Sequence, residues 1–309
     1  MTSARVAWSA LPVDVRAEVE AALEAPVVDA VNQPGGYSPS LAARCLLGDG
    51  RRVFIKAAAP ELNPQTPLML RDEIDVSRRL PAELPVPRLR HVVDDGTWVV
   101  AVFDEIVGRP PVTPWTAGEL GHVVAAVESL ADALDPSPVD GVPPVGARHA
   151  DTFGKWRALA GGDPTEVDGW AAQNLHRLAA LEAGWEEAAA GDALLHCDIR
   201  ADNLLIDRHG VVWLVDWPHA SLGAGWVDLL LMLPSVAHEG GPEPEEVWSS
   251  SRLSRDAEPE AVTAVVAALD GYFTYQSRQP DPPGLPSVRA AQADFGRVTR
   301  RWLRTRIGW

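Results

Sequence analysis

A chain of 309 residues, 46% hydrophobic and 23% charged, carries enough apolar mass for one large core or two modest ones. Its formal net charge of −16 repels a phosphate backbone and excludes nucleic acid as an expected partner, and no apolar run reaches the ~20 residues that cross a bilayer. Cys45 and Cys197 can build neither a disulfide framework nor a thiolate metal site; with opening residues unlike a signal peptide, a reduced cytoplasm is the expected compartment.

Residues 41–47 and 52–57 are apolar and β-branched runs on either side of Gly48-Asp49-Gly50, the pattern of a hairpin around a glycine turn. Residues 69–80 are rich in helix formers and stop at Pro81. Residues 89–93 and 98–103 flank Asp94-Asp95-Gly96 as a second hairpin. The first third thus predicts a small sheet with one main helix on it. Gly108-Arg109-Pro110-Pro111 breaks the pattern. Beyond it, residues 116–134 predict a helix that opens at a threonine cap. Residues 135–146 read as a loop, and 167–190 as a helix interrupted near Gly184. Residues 211–215 form a lone apolar strand. Residues 227–233, 245–251, 258–275 and 287–306 predict further helices, with a proline-rich turn at 279–286. The expected fold class is α+β: a small N-terminal β-sheet lobe over residues 1–107, then a larger, mainly helical lobe over 108–309.

The chemistry concentrates in Leu194-Leu195-His196-Cys197-Asp198-Ile199-Arg200-Ala201-Asp202-Asn203-Leu204-Leu205-Ile206, an H-x-D-x-x-x-x-N segment with apolar flanks. Thirteen residues after Asn203, the lone strand delivers Asp216 in Asp216-Trp217-Pro218. A polar loop pinned between buried flanks, followed by a strand-borne carboxylate, suits phosphoryl transfer. That reaction needs positioning and charge neutralisation rather than covalent help from the protein. The plain alternative makes Asp198 and Asp202 turn residues and Asp216 a cap.

In this combination the chain resembles the aminoglycoside phosphotransferase family and, more widely, the protein-kinase-like superfamily. The resemblance spans roughly residues 27–235. It implies a protein-kinase-like two-lobed fold, with Asp198 as the catalytic base or hydroxyl-orienting residue. It makes Asn203 and Asp216 magnesium ligands, Asp216 standing for the aspartate of the D-F-G triplet. Lys56, a charge inside Val53-Phe54-Ile55-Lys56-Ala57, would meet the α/β-phosphates of a nucleotide and a helix glutamate. Glu73 is the first choice for that partner, with Asp72 and Asp75 as rivals; the plain alternative for Lys56 is an edge-strand position. Arg200 stands where protein kinases carry a lysine near the transferred phosphate, and faces solvent on the alternative reading. Gly35 and Gly36 fall where the phosphate-covering loop should be, although G-x-G-x-x-G is absent and an ordinary turn accounts for them equally. Phe103, Asp104, Glu105 and Ile106 would form the hinge along the purine ring. ATP and Mg2+ are the expected cofactors, with GTP left open. His196 reads as a buried anchor of the loop. Asp228 would steady the catalytic loop, serve as a helix N-terminal carboxylate, or both.

Asp228 follows only twelve residues after Asp216, which leaves no room for an activation segment and disfavours protein substrates. The expected partner is a small-molecule hydroxyl acceptor, with neither nucleic acid nor membrane. An aminoglycoside or another amino-bearing or sugar-like compound fits, with Glu239, Glu243 and Glu246 as candidates to hold amines. The rival reading is a catalytically silent, nucleotide-binding pseudokinase with a regulatory role.

Overall fold

A computed structural model describes residues 5–33, 39–163, 165–282 and 288–309. In chain order the elements begin with α1 (Val13–Leu23), β1 (Val27–Asn32), β2 (Leu41–Leu47), β3 (Arg52–Ala58), α2 (Thr66–Ser77), β4 (Leu89–Asp94), β5 (Val99–Asp104) and β6 (Gly108–Arg109). There follow α3 (Ala117–Ala133), α4 (Val145–Phe153), α5 (Lys155–Ala160), α6 (Gly169–Glu182), α7 (Trp185–Ala188), β7 (Ala193–Leu195), β8 (Leu204–Asp207), β9 (Val212–Leu214) and β10 (Ser221–Gly223). The chain ends with α8 (Val227–His238), α9 (Pro244–Ser250), α10 (Pro259–Gln276) and α11 (Val288–Ile307). By its contacts the chain divides into two compact units. The first holds the residues up to Pro110 together with Asp202–Ala220; the second holds Pro111–Ala201, Ser221–Pro282 and the C-terminal helix.

The first unit is built on an antiparallel sheet of order β1-β2-β3-β5-β4. Side chains alternate across its faces, as the period of a strand requires. Val53, Ile55 and Ala57 of β3 face one core with Leu41, Ala43, Cys45, Val100 and Val102, which Leu11 and the α1 residues Val15, Val19 and Leu23 cover. Phe54 and Ala58 face the other, with Val99, Ala101, Phe103 and the α2 residues Leu70 and Ile74. Lys56 shares the parity of Phe54 and Ala58, so it points toward α2. Its register partners are Ala42 on β2 and Ala101 on β5, which puts it on the central strand and removes the edge-strand alternative.

The expected small sheet lacked α1 and β1. β1 is an edge strand whose Val28 and Val31 are 59% and 55% exposed, so its apolar residues do not alternate toward a core. α1 does show Val15, Val19 and Leu23 at helical spacing after Pro12, a signal present in the sequence. A second small sheet, β6-β8-β9, completes the unit. There Gly108 pairs with Asp207, and a Cβ on Gly108 would lie 2.9 Å from the Ile206 carbonyl oxygen, so only glycine permits that approach.

The second unit is mainly helical. Thr116 caps α3 by accepting the Glu119 N–H at 3.3 Å, and the chain breaks between α6 and α7 at Ala183-Gly184, where the interruption was expected. α4 and α5 lie outside the expectation, because Gly154 separates two pieces too short for a periodic signal. Trp156, Trp185 and Trp302 are almost fully buried. β7 and β10 pair antiparallel, Leu195 opposite Ser221, and carry the chain into His196. Among the described residues no helix is long and apolar enough to cross a membrane.

Candidate active site

Three charged groups meet on the α2-facing side of the sheet. Lys56 Nζ donates to both Glu73 carboxylate oxygens, at 2.7 and 2.8 Å, and to Asp216 Oδ1 at 2.8 Å. Glu73 reaches Lys56 because it shares the buried face of α2 with Leu70 and Ile74; Glu73 and Ile74 follow Leu70 by three and four residues respectively, on one helix face. Asp72 and Asp75 point elsewhere: Asp75 is tied to Arg79 on the exposed face. The Glu73 side chain is 5% exposed and that of Lys56 18%, whereas Asp216 is 45% exposed.

Burial disfavours the Lys56 ammonium, but Asp216 and Glu73 outweigh it and hold its pKa above the ordinary value. Burial pushes the Glu73 carboxyl up, with Lys56 pulling the other way. Lys56 is therefore a fixed cation shared by two carboxylates.

Asp216 arrives at the end of β9 through backbone contacts. Leu214 N–H donates to Pro85 O at 2.9 Å, and Val215 N–H to Asn203 O at 3.0 Å, which ties Asn203 to the same segment. Asp216 has φ 72°. A left-handed backbone at a non-glycine residue costs about 1–2 kcal/mol, and aspartate is among the residues that tolerate it. Such conformations persist where surrounding contacts hold them, often at functional positions. The buried Trp217 beside it donates its indole N–H to Leu214 O at 3.3 Å.

These groups line a cavity of about 250 Å³ within the first unit. Lys56, Glu73, Asn203 and Asp216 form a polar part of its wall, and Phe54, Leu80, Val86, Phe103, Ile106 and Leu205 an apolar part. Of the expected hinge, Phe103, Asp104 and Ile106 line the cavity, with Asp104 held by Arg90 at 2.7 Å. The Glu105 carboxylate is not part of that wall; it pairs with Arg52 at 2.8 Å and Arg44 at 3.8 Å. Gly35 and Gly36 lie outside the described residues. Arg5, Arg44 and Asp202 also line the cavity. The motif reading did not select them: Arg5 and Arg44 belong to no spaced pattern, and Asp202 had been read only as part of the loop.

Asp198 belongs to the second unit. The buried Asp228 carboxylate accepts the backbone N–H groups of His196 at 2.8 Å and Cys197 at 2.7 Å. Cys197 is held at φ 62°, another left-handed non-glycine residue. Next along, the Asp198 N–H donates to His196 Nδ1 at 3.2 Å, and His196 is fully buried. That bond requires an unprotonated Nδ1 and fits the anchoring role expected of His196. Arg200 Nη1 donates to Asp198 Oδ1 at 3.0 Å, with both side chains about a quarter exposed. Burial pushes the Asp228 carboxyl up to about 6, against the pull of its two N–H partners, and pushes the Cys197 thiol well up.

The acidic residues expected to hold amines are occupied or exposed. Glu239 accepts the Trp115 indole N–H at 2.9 Å, Glu243 pairs with Arg301 at 3.2 Å, and Glu246 is exposed. Among the described residues, no group of three or more His, Cys, Asp or Glu side chains is arranged around a metal position.

The chain matches the phosphotransferase enzyme family (APH) over residues 34–279. No curated protein matches it. A thermostable mutant of aminoglycoside phosphotransferase APH(4)-Ia, solved with AMP-PNP and hygromycin B, is similar with a TM-score of 0.62 at 15% identity over 96% of each chain. Amicoumacin kinase hAmiN, in complex with AMP-PNP, Ca2+ and Ami, gives 0.59 at 12% identity over 95% of each. Choline kinase LicA from Streptococcus pneumoniae gives 0.59 at 13% identity over 96% of this chain and 98% of that one. At such identities the likeness is one of fold, α+β and protein-kinase-like. The family match is different in kind, for it runs through Lys56, Asp198, Asn203 and Asp216 and spans most of the sequence; the chain belongs to the phosphotransferase enzyme family.

Proposed function

We propose that the protein is a small-molecule kinase that transfers the γ-phosphate of ATP, with Mg2+, to a hydroxyl group of its acceptor. The observation that carries the reading is Lys56 bonded to both Glu73 and Asp216 on the wall of a cavity that Asn203 also lines. The donor set suits magnesium, a hard cation that takes one carboxylate and one amide oxygen and completes its shell with phosphate oxygens and water. Asp216 and Asn203 would hold the ion, which would neutralise charge on the phosphate oxygens. Lys56 steadies the phosphates, and Glu73 keeps the ammonium aimed. The apolar wall at Phe54, Val86, Phe103 and Leu205 receives the purine. Residues 1–107 supply most of the nucleotide site, and the helical lobe over 108–309 receives the acceptor.

Asp198 orients the acceptor hydroxyl and takes its proton as the phosphate bond forms. Asp228 and His196 fix the backbone on which Asp198 stands. Arg200, paired with Asp198 in the same unit, is the cation assigned to the transferred phosphate.

The test is Mg-ATP-dependent ADP release across a panel of aminoglycosides, sugars and amino alcohols, with Asp198→Ala alongside. Turnover on a panel member, lost in the variant while nucleotide affinity is kept, supports the kinase. Nucleotide binding with no turnover on the panel or on a host metabolite extract would favour the regulatory pseudokinase instead.

A further inference from the structure

The first unit carries a cation that no motif marks. Arg5 lines the same cavity as Lys56 and Asp216. Its approach is fixed by the backbone. Val6 N–H donates to Ser40 O at 3.1 Å, and the Asn32 side-chain amide donates to Val6 O at 3.0 Å. Asn32 ends β1, and Ser40 immediately precedes β2. The segment before α1 is therefore clamped on both sides of the β1–β2 connection. From that position Arg5 Nη1 donates to the hydroxyl of the buried Ser40 at 2.7 Å. Burial lowers the guanidinium pKa and the Asp216 carboxylate opposes the change. Arginine stays a cation through such shifts.

We propose that Arg5 is a second phosphate-binding cation of the nucleotide site, supplied by the segment that precedes α1. The inference rests on the reading of this cavity as a nucleotide site and deepens it. Lys56 is already shared between Glu73 and Asp216, so a polyphosphate must draw on further positive charge. Among the described cations of the wall, Arg44 is committed toward the hinge, where it pairs with Glu105 at 3.8 Å and donates to Gly108 O at 3.4 Å. Arg5 is the wall cation whose field acts on Asp216 together with that of Lys56. A guanidinium fork matches phosphate oxygens in a way an ammonium does not. The β1–β2 connection lacks the G-x-G-x-x-G sequence that offers backbone amides to phosphates. A side-chain cation anchored at its base meets the same electrostatic need.

The competing account is that Arg5 only ties its segment to the sheet. Calorimetric titration of the native protein, Arg5→Gln and Arg5→Lys with Mg-ATP and with adenosine separates the two. Arg5→Gln should bind Mg-ATP roughly tenfold to a hundredfold more weakly while adenosine affinity stays native. Arg5→Lys, which restores charge without the fork, should recover part of the loss. Native Mg-ATP affinity in Arg5→Gln, or an equal loss for ATP and adenosine, would overturn the proposal in favour of the tie. Adenosine binding certifies the fold of each variant; if Arg5→Gln melts early, Arg5→Met, which keeps the aliphatic stem, takes its place under the same criteria. If the native protein binds no Mg-ATP, the nucleotide reading itself fails, a result visible without any variant.

Discussion

Replacing Asp228 with asparagine should separate the geometry of the segment that carries Asp198 from the stability of the fold. The native carboxylate accepts two buried backbone N–H groups, from His196 and Cys197. Asparagine keeps the size and one acceptor oxygen but turns an NH2 toward the other donor, leaving one N–H unsatisfied at about 1–3 kcal/mol. Burial raises the native carboxyl from 3.8 to about 6. Its ionised form at neutral pH therefore carries about 3 kcal/mol that a neutral amide does not. The two effects are of similar size and opposite sign, so at pH 7 the variant should melt within about 5 °C of the native protein. Their pH dependence differs. A carboxyl with a raised folded pKa binds extra proton in the native state, so its contribution to stability falls as pH rises from 3.8 to about 6. The native protein should thus gain on the variant as pH drops through that window. Turnover should fall regardless, by roughly a hundredfold, because Cys197 is no longer held at φ 62° and Asp198 follows it. Melting curves at pH 4.5 and 7.5 with kcat at 7.5 decide the matter. A variant that melts far below native at pH 7.5 yet turns over normally would refute the reasoning.

Asp198→Ala should keep Mg-ATP affinity and lose about 10²–10⁴-fold in kcat, read by calorimetry and ADP release. Lys56→Met should leave two carboxylates facing each other without their shared cation, raise the KM for ATP and lower kcat together; an unchanged KM would remove Lys56 from the phosphate site. Buried Glu182, pushed up to about 7 by burial against the N–H groups of Trp156 and Arg157, destabilises the fold as pH rises from 4.5 to about 7. Glu182→Gln should flatten that part of the melting profile, and an unaltered slope would show that the carboxyl titrates normally. Gly108→Ala forces a Cβ against the Ile206 carbonyl and should lower stability by about 1–3 kcal/mol in chemical denaturation.

Much of the site was legible because its residues are conspicuous locally. Lys56 is a charge inside a β-branched run, and Asp198 and Asn203 are polar residues between apolar flanks; the helix stop at Pro81 bounded the search for the partner of Lys56. Glu73 was already the first choice from the sequence, and the rotation of α2 separates it from its rivals Asp72 and Asp75. The second bond of Lys56, to Asp216, spans 160 residues and has no local signature. The grip of Asp228 on the His196 and Cys197 amides is likewise a contact between backbone and distant side chain; the family resemblance implied a steadying role for Asp228 without naming the atoms. Arg5 was invisible for the same reason, since its place depends on Asn32 and Ser40 clamping Val6. Elements without alternation toward a core, such as β1, escaped a periodicity reading, as did short helices divided by glycine.

The division of the chain also sets an order of assembly. Lys56 and Glu73 are synthesised early, but Asn203 and Asp216 belong to the same compact unit and emerge only after residues 111–201 have been made. On the ribosome the first unit must wait for a segment almost a hundred residues further on before its cavity has a complete wall. A fragment ending at Pro110 would carry the lysine and its glutamate without the second carboxylate. The proposed nucleotide site therefore cannot be moved between proteins as a contiguous cassette.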